Sequence, residues 1–408
     1  MSLPAPLENA AVPLPIVGVL QTLLQAGHEA FLVGGCVRDL FLGKTPKDWD
    51  VTTQARPEEV QKLFRKVIPT GILHGTVTVL TTGASVEVTT YRFEGEYVDG
   101  RRPSTVEFRR DLQEDLARRD FTINAMAFNP AAEDFRDPFG GQADLALKRV
   151  RCVGAASARF GEDGLRALRA VRFAAVLGFE LDPETEAAIR PTLPVFRKVA
   201  LERVQQEFVK VLLARDAERG LQLLERTGLL AEFVPEVEAA HEPFAHVAAA
   251  EQEDAVRLAA LLVQTQRPRD ILMRLKFPTR TAEQVGVLVR ERLGAEAHAW
   301  DAPSLRRWLV RVGPENVEPS LKLARARGVP GADALLDTVH AVLAEKPPLS
   351  PKALALNGQQ LMALLGVPPS PLVGQATRYL MEAVLDDPRR NTVETLETLA
   401  RAWVQKRS

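Results

Sequence analysis

Cysteine is scarce in this sequence, net charge is almost absent, and no long hydrophobic run occurs. Two cysteines, Cys36 and Cys152, stand among 408 residues, which excludes a disulfide framework and favours a reducing compartment. The formal net charge of -1 gives no overall field that would predict a nucleic-acid or membrane partner. A polyanion therefore has to bind where arginines cluster locally. No segment is long and apolar enough to span a bilayer.

The segment at 1–20 lacks the features of a signal peptide. It has no basic region, and Pro13 and Pro15 interrupt its apolar run. We therefore expect a cytoplasmic protein with no membrane partner and no DNA partner.

The chain does contain enough sequence for several domains. Its 408 residues exceed one ordinary core, so roughly two to four domains are expected. Hydrophobic residues make up 46% and charged residues 26% of the chain, the balance of a globular protein.

The first third of the chain carries strand patterns. Segments rich in Val and Thr and bounded by Gly predict strands at 31–35, 49–53, 75–82 and 85–93. Between the second and third of these, PEEVQKLFRKV at 57–67 has helical spacing. We predict the α+β class, beginning with a small mixed domain built on a β-sheet.

Helical spacing dominates beyond about residue 140. The segments that show it most clearly lie at 163–179, 201–214, 217–230 and 254–264. KPPLSPK at 346–352 is the best candidate for a linker, and a small helical region follows it.

A glycine pair follows the first predicted strand. FLVGGCVRD places Gly34 and Gly35 between a strand and a predicted helix, with Arg38 three residues further on. A glycine pair lets the backbone approach a phosphate closely, the N–H groups of the following helix suit an anion, and the guanidinium adds a charged donor. The alternative is an ordinary tight turn.

Two carboxylates flank a tryptophan in TPKDWDVTT at 45–53. On a strand, Asp48 and Asp50 project to one face and Trp49 to the other, into the core. Neighbouring carboxylates stay ionised most easily with a cation between them, and such hard oxygen ligands suit Mg²⁺. Glu87 on a later strand is a candidate third acid. The alternative is a solvated acidic turn.

GGCVRD followed by DWD resembles the nucleotidyltransferase superfamily that shares a head with DNA polymerase beta. More narrowly, the chain is similar to the class II tRNA nucleotidyltransferases (CCA-adding enzymes) and to their bacterial poly(A) polymerase relatives.

A second motif, RRDFTINAMAF, occupies 118–128. Arg118 and Arg119 offer two guanidinium groups, and Asp120 and Asn124 stand one helical turn apart, able to bond a ribose 2′-hydroxyl. The alternative is an N-capped helix with a basic first turn. The string is similar to the second motif of the class II enzymes, which binds the sugar and the triphosphate.

A segment rich in Gly, Pro and Arg, EGEYVDGRRPSTVEFRR, separates the two motifs at 94–110. This composition predicts either a mobile basic loop or an ordinary surface hairpin. In the family, a loop with a DGRRP-like segment helps the enzyme switch to adding adenosine, and enzymes that add only CC lack it. Asp99, Arg101 and Arg102 match that segment, so the resemblance argues against a CC-only activity.

A third motif, EDGLRALRAVR, lies at 162–172. On one helix, Asp163 neighbours Arg166, and Glu162 can pair with the same arginine. An Asp–Arg pair can match the hydrogen-bonding edges of cytosine and adenine but mismatches uracil and guanine. Arg169 and Arg172 continue at steps of three toward phosphates or RNA. The alternative is an exposed helix face with one weak salt bridge.

This third string resembles the family's EDxxR base-recognition motif. Gly164 stands where relatives often carry Pro, and we expect it in the first turn of the helix. LERVQQEF at 201–208 resembles the family's fifth motif, for which we expect a role in helix packing, so Glu202 and Arg203 are expected to be structural.

The resemblance implies four parts of the chain. These are a catalytic head at 13–145, a helical neck with the base-recognition motif at 146–205, a helical body with a degenerate HD-like region at 206–345, and a helical tail for tRNA at 350–408. In the HD-like region, Val263 and Gln264 stand where a His–Asp metal pair is expected, so phosphatase activity is not predicted.

The implied reaction adds CCA to the 3′ end of tRNA from CTP and ATP, releasing pyrophosphate. Asp48 and Asp50 are expected to hold two Mg²⁺ ions. The nucleotide-binding residues are expected to be Gly34, Gly35, Arg38, Arg119, Asp120, Asn124, Asp163, Arg166, Arg169 and Arg172, with support from Glu162, Glu87, Asp99, Arg101 and Arg102.

Three alternatives stay open. The first is an enzyme that adds only the terminal A, and another is a non-catalytic RNA-binding protein with a degenerate head. A poly(A) polymerase is less expected, because TGILHGTVTV at 70–79 resembles the pattern of CCA-adding enzymes and no long basic extension follows the tail.

Overall fold

The structure is a computed structural model that describes residues 3–72, 75–94, 106–108, 111–240 and 244–406. The chain forms two compact units, residues 1–238 and 239–408. Asp99, Arg101 and Arg102 of the basic loop lie outside the described residues, so their role stays a prediction. Among the described residues, no helix combines the length and the apolar character needed to cross a bilayer.

Every strand of the described chain belongs to the first unit. The strands are β1 (Ala30–Val33), β2 (Asp50–Thr53), β3 (Val67–Gly71), β4 (Thr76–Thr81), β5 (Ala84–Thr90), β6 (Arg92–Glu94), β7 (Val106–Phe108), β8 (Ala127–Asn129), β9 (Asp134–Arg136), β10 (Arg149–Val150) and β11 (Glu180–Leu181).

Fourteen helices begin in the first unit of the described chain. They are α1 (Ala5–Glu8), α2 (Leu14–Gln25), α3 (Gly35–Phe41), α4 (Pro57–Leu63), α5 (Leu112–Ala117), α6 (Gly141–Ala146), α7 (Ala156–Glu162), α8 (Leu165–Leu177), α9 (Pro183–Ala187), α10 (Ile189–Phe196), α11 (Leu201–Leu212), α12 (Ala217–Thr227), α13 (Leu229–Phe233) and α14 (Pro235–Ala240). A short 3₁₀ helix covers Thr122–Asn124.

The second unit is helical throughout its described part. Its helices are α15 (Phe244–Ala249), α16 (Asp254–Leu262), α17 (Pro268–Arg274), α18 (Thr279–Arg290), α19 (Ala302–Val312), α20 (Val317–Ala326), α21 (Ala332–Ala344), α22 (Gly358–Leu365), α23 (Pro371–Asp386) and α24 (Val393–Gln405), with 3₁₀ helices at Ala295–Ala299, Pro314–Asn316, Pro351–Ala353 and Pro388–Arg390.

A seven-stranded mixed sheet forms the frame of the first unit. Its order is β3-β4-β5-β2-β1-β8-β9, and β2 runs parallel to β5 while the other neighbours are antiparallel. In β5, Val86 and Val88 are buried while Glu87 is exposed, because side chains alternate between the two faces of a strand. The predicted α+β class, with helices after the sheet, is confirmed.

The helices after the sheet pack closely around α8. This helix contacts both α11 and α12. A Cβ atom on Gly220 of α12 would lie 2.7 Å from Val211 Cγ1 and 2.8 Å from Ala175 Cβ. A side chain at 220 would therefore push the three helices apart.

Two apolar clusters organise the second unit. One surrounds Trp308 on α19, and the other surrounds Leu380 on α23 and Leu396 on α24. The predicted linker at 346–352 follows α21 and contains no α-helix. The boundary between the two compact units falls inside the predicted body at 206–345, and the finer division into four parts stays a prediction.

Two expectations about local structure are wrong. The motif at 118–128 is not a single helix, because α5 ends at Ala117 and a 3₁₀ helix at Thr122–Asn124 leads into β8. The motif at 162–172 is likewise interrupted, since α7 ends at Glu162 and α8 begins at Leu165.

Candidate active site

The predicted metal carboxylates lie at the start of β2. Trp49 is 8% exposed and points into the core, as expected. Asp50 is the first residue of the strand and pairs in register with Glu87 on the parallel strand β5. Asp48 was expected on the strand as well, but it lies in a bend just before it and is exposed.

Asp50 has two negatively charged neighbours, Glu87 and Asp48. Burial raises the pKa of Asp50, and the charges of Glu87 and Asp48 raise it further, while Arg119 opposes them. No group of three or more His, Cys, Asp or Glu side chains within the described residues is arranged to enclose a metal ion by itself. Carboxylate oxygens under mutual repulsion fit a hard divalent cation that takes its remaining ligands from water or phosphate.

The Gly34 turn brings the backbone against this site. Gly34 has φ 76° and ψ -132°, a conformation that side-chain-bearing residues rarely adopt. A Cβ atom there would lie 3.1 Å from Arg119 Nη1 and 3.8 Å from Asp50 Oδ2. Gly35 begins α3, and Arg38 on that helix donates a 2.8 Å hydrogen bond to Asn124 Oδ1.

Asp115 holds both arginines of the second motif, a role that the sequence analysis missed. Its side chain is fully buried and accepts hydrogen bonds from Arg118 at 2.8 Å and 3.0 Å, from Arg119 at 3.4 Å and from Thr52 Oγ1 at 3.1 Å. Burial raises the pKa of Asp115, but the charges of Arg118 and Arg119 outweigh it and hold the pKa below its usual value. The spacing of Asp115 three and four residues before the arginines was the available signal.

Asp120 and Asn124 do contact each other, although not on an α-helix. Asp120 Oδ1 accepts from Asn124 Nδ2 at 3.1 Å and from the N–H of Phe121 at 2.8 Å. Asp120 Oδ2 accepts from Arg169 Nε at 2.8 Å and Nη2 at 2.5 Å. Because an ionised carboxylate has about four acceptor positions, this one is filled by its protein partners.

The charge state of Asp120 follows from these contacts. Burial raises its pKa, but Arg169 and the hydrogen bond from Asn124 outweigh burial and lower the pKa to about 2. Together with the bond from Arg38, these contacts form a continuous chain, Arg38–Asn124–Asp120–Arg169. The chain connects α3, beside Asp50, to α8.

The two predicted base-reading side chains lie on either side of the helix break. Asp163 has an extended backbone, with φ -141° and ψ 108°, and does not share a helix with Arg166. Its carboxylate accepts from Arg203 on α11 at 2.6 Å and 3.3 Å and from the N–H of Leu165 at 3.0 Å. Arg203, for which we expected a structural role, fixes the orientation of the candidate base-reading residue.

Arg166 is held separately. It pairs with Glu162, as predicted, and its Nη atoms also donate to the carbonyl oxygens of Arg159 at 3.2 Å and Arg118 at 3.3 Å. With a residue exposure of 9%, its guanidinium is locked by these bonds.

Gly164 permits the break itself. A Cβ atom on Gly164 would lie 2.6 Å from both the N and the Cα of Phe196, the last residue of α10. Gly164 directly precedes Leu165, the first residue of α8, close to the first-turn position that we expected. A side chain at 164 is excluded by backbone atoms, which cannot move aside as a flexible side chain does.

Arg172 is not on an exposed face. Its Nε lies 2.5 Å from Glu207 Oε2, an ion pair without the geometry of a hydrogen bond, and Glu207 is itself buried. Burial lowers the pKa of Arg172 to about 10. A contact between Arg172 and a nucleotide stays a prediction, and the structure gives this residue a buried partner that the sequence analysis did not identify.

The structure thus brings most of the candidate residues into two connected groups. Asp50, Glu87, Gly34 and Arg119 form the first, and the chain from Arg38 to Arg169 leads to the second. Asp163, Arg166 and Glu162 lie where α7 meets α8.

Three family descriptions match successive parts of the chain. The matches are Poly A polymerase head domain at 30–151, Probable RNA and SrmB- binding site of polymerase A at 178–241, and tRNA nucleotidyltransferase domain 2 putative at 249–400.

Curated relatives and a solved structure extend over nearly the whole chain. The CCA-adding enzyme of Lactobacillus delbrueckii subsp. bulgaricus is 38% identical over 92% of this chain and 94% of its own length. That of Geobacillus stearothermophilus is 37% identical over 96% of each chain. The crystal structure of Bacillus stearothermophilus CCA-adding enzyme in complex with CTP matches with a TM-score of 0.80 and 32% identity, covering 99% of each chain. The resemblance drawn from GGCVRD, DWD and the later motifs is confirmed, and the chain belongs to the family of CCA-adding enzymes.

Proposed function

We propose that the protein adds CCA to the 3′ end of tRNA from CTP and ATP without a nucleic-acid template, in the cytoplasm. The observation that carries the proposal is the chain Arg38–Asn124–Asp120–Arg169. It ties the glycine turn beside the carboxylates to the helix that begins next to Asp163. A nucleotide bound along this chain has its phosphates near Asp50 and its base near the helix break.

Mg²⁺ is the metal that we propose for the carboxylates. The nucleotidyltransferase family generally uses divalent metals, and Mg²⁺ prefers oxygen ligands from a few carboxylates together with substrate phosphates. Asp48 and Asp50 would hold two ions, with Glu87 as a third acid nearby. When bound, Mg²⁺ lowers the pKa of the attacking 3′-hydroxyl and neutralises charge on the pyrophosphate that leaves.

The triphosphate would be bound by Gly35, Arg38 and Arg119. The N–H groups at the start of α3 would face the phosphates without a side chain of Gly34 or Gly35 in between. Asp115 holds the guanidinium group of Arg119 in place, and Asn124 holds that of Arg38. Because both groups are ordered before the substrate arrives, little side-chain conformational entropy is lost when it binds.

Asn124 is the residue of the second motif that we propose for the ribose. Asp120 has its acceptor positions filled by Phe121, Asn124 and Arg169. An amide can both donate and accept, so Asn124 keeps capacity for a 2′-hydroxyl after bonding Asp120 and Arg38. Asp120 would then act through Asn124 rather than on the sugar.

Asp163 and Arg166 would select the base. Arg203 and the N–H of Leu165 both donate to Asp163, whose carboxylate oxygens act as hydrogen-bond acceptors. An acceptor there can form a hydrogen bond with the exocyclic amine of cytosine or adenine, whereas it repels the carbonyl oxygen of uracil or guanine. Arg166 supplies donors to the ring edge.

The tRNA is proposed to bind through arginine clusters and the shape of its A-form stem, with the tail at 350–408 contributing. Counterions are released when phosphates meet guanidinium groups, so the affinity for tRNA should fall with rising salt.

Primer extension tests the proposed reaction. One tRNA ends at the discriminator base and the other already ends in CC, and each is offered CTP alone, ATP alone or both. We expect the first tRNA to gain CC with CTP alone and CCA with both nucleotides, and the second to gain one A with ATP alone. Extension of only the CC-ended tRNA would show that the enzyme adds only the terminal A. Long runs of A would indicate a poly(A) polymerase.

Selection of the base has its own test. Asp163→Ala should lose discrimination between CTP and UTP while keeping the ability to form phosphodiester bonds, because the metal site is unchanged. The measurement is the ratio of kcat/KM for the two nucleotides. A ratio equal to that of the unsubstituted enzyme rules out Asp163 as the base reader.

A further inference from the structure

Three guanidinium groups surround the ring of Phe173 on α8. The Cζ atoms of Arg38, Arg169 and Arg172 lie 5.3 Å, 5.5 Å and 3.8 Å from the centroid of the ring. Each distance is within the range in which a cation is attracted to the face of an aromatic ring. Phe173 is 5% exposed, so these contacts are shielded from water.

Two of these cations affect the ionisation of the third. The charges of Arg169 and Arg38 both contribute to lowering the pKa of Arg172, after burial and against Glu207. Glu207 compensates the charge of Arg172 from α11. Arg169 is paired with Asp120, and Arg38 donates to Asn124 and also, from Nε at 3.0 Å and Nη2 at 2.8 Å, to its neighbour Asp39. Asn124 and Asp120 are the two central members of the chain described above.

Phe173 therefore lies against both ends of that chain. Arg38 and Arg169 each have a hydrogen-bonding partner on the chain and the aromatic ring as a further contact. The π-electrons of one ring offer negative potential to several cations without consuming their hydrogen-bond donors. Donors that are not consumed stay available to a ligand that accepts hydrogen bonds.

We propose that Phe173 is a positioning residue for the nucleotide: its ring holds Arg38 and Arg169 together and keeps their free N–H groups directed at the triphosphate and sugar. This inference rests on the proposed function, because it assumes a nucleotide along the chain from Arg38 to Arg169. The ring itself touches no substrate. It lowers the electrostatic cost of keeping three cations side by side before the anionic ligand arrives.

The ring packs in turn against Phe121, whose centroid lies 5.5 Å away at an interplanar angle of 78°. This edge-to-face contact fixes the orientation of Phe173 from the second motif. The backbone N–H of Phe121 donates to Asp120, so the same segment sets both the ring and the carboxylate. Phe173 thereby couples the arginines to the segment that holds their partners.

Graded fluorination of the ring at position 173 tests the proposal. Successive fluorine atoms keep the ring and its packing but withdraw electron density from its face. We expect the KM for CTP and for ATP to rise stepwise with the number of fluorine atoms, reaching about tenfold for the fully fluorinated ring, which corresponds to the loss of a desolvated cation–π contact. We expect kcat to change by less than about threefold, because the metal carboxylates are untouched.

Side-chain substitutions give an independent measurement. Phe173→Leu should raise the KM for both nucleotides, and Phe173→Tyr should restore most of the affinity because it retains the ring. Phe233→Leu is the matched control, since it removes a buried ring of the same unit, one that packs against the rings of Phe196 and Phe208. This control should leave the KM unchanged at a similar loss of melting temperature.

Two results would overturn the proposal. One is a KM that does not change with fluorination. The other is that Phe173→Leu and Phe233→Leu raise the KM by the same factor for the same decrease in melting temperature. Failure of the proposed function is a separate outcome, because it appears in the unsubstituted enzyme as an absence of nucleotide addition to either tRNA.

Discussion

The first unit contains two kinds of carboxylate, and they are treated in opposite ways. Asp50 at the sheet stands beside Glu87 and Asp48, and burial together with these charges raises its pKa. Asp120 is just as much a part of the site, yet guanidinium and amide donors fill its acceptor positions, and its pKa falls to about 2. The carboxylate that we propose for an external cation is compensated only in part, by Arg119, whereas the carboxylate that holds Arg169 has its acceptor positions filled by the protein itself.

Removing a satisfied carboxylate should have the largest effect on folding. Asp120→Ala leaves the side chains of Arg169 and Asn124 and the N–H of Phe121 without their acceptor, and breaking a buried pair in this way costs about 3–5 kcal/mol. Asp134→Ala, which breaks a more exposed pair with Arg136, should cost at most about 1 kcal/mol. Urea unfolding followed by circular dichroism measures both, and equal losses would contradict the contrast.

Removing the partly compensated carboxylate should act on chemistry instead. Asp50→Asn should lower kcat by more than about a hundredfold, beyond the usual effect of losing an outer-shell partner of a metal ligand. The same substitution relieves repulsion with Glu87, so the metal-free protein should be no less stable than before. Activity is measured by primer extension and stability by the urea midpoint. Asp134→Asn serves as the control, and unchanged incorporation by Asp50→Asn would rule out its assignment as a metal ligand.

The backbone near Asp163 offers a smaller test. Gly164→Ala places a Cβ atom against backbone atoms of Phe196, and overpacking of this kind costs about 1–3 kcal/mol. Gly161→Ala, three residues earlier on α7, meets nothing within 4 Å and should stabilise the helix by about 0.5–1 kcal/mol. Thermal unfolding distinguishes the two variants, and the prediction is wrong if both shift the melting temperature in the same direction.

The pKa values of Asp50 and Asp120 compare the two carboxylates most directly, although the expected effect on the protein is the smallest. On acidification of the metal-free protein, Asp50 should take up its proton at a higher pH than an ordinary aspartate, and Asp120 only near pH 2. The stability that Asp120 contributes is therefore present above its ordinary pKa of 3.8 and is lost as the pH falls through about 2.

Glu87→Gln should lower the pKa of Asp50, because it removes a negative neighbour. Carboxyl carbon chemical shifts from selectively labelled protein report both titrations. An Asp50 pKa that does not respond to Glu87→Gln would contradict the electrostatic account of the sheet site.

The sequence predicted well those features that depend on alternation along a strand. The burial of Trp49 beside Asp50 and the exposed Glu87 between buried Val86 and Val88 follow from a period of two residues. The same period was wrong for Asp48, which lies in a bend before β2. Short strands without such a pattern were missed, among them β8 and β9, because three residues are too few to establish a period.

Features that depend on distant pairs could not be predicted. Asp163 is held by Arg203, forty residues away in the chain, and Arg172 by Glu207 on another helix. The apparent helix at 162–172 is broken because α10 packs against Gly164, and nothing in the local sequence records that contact. Tertiary packing here overrides a local periodicity that by itself favours one continuous helix.

The chain from Arg38 to Arg169 also limits where the protein can be divided. A truncation after residue 145 would retain Asp120 and Asn124 but discard Arg169, Arg172 and the Phe173 ring. The excised head would expose a carboxylate that has lost its cation and a Phe121 face that has lost its cover. Chimeras of this enzyme should therefore exchange the sheet and α8 together. The hydrogen-bonded chain that starts at Arg38, beside the sheet, ends at Arg169 on α8.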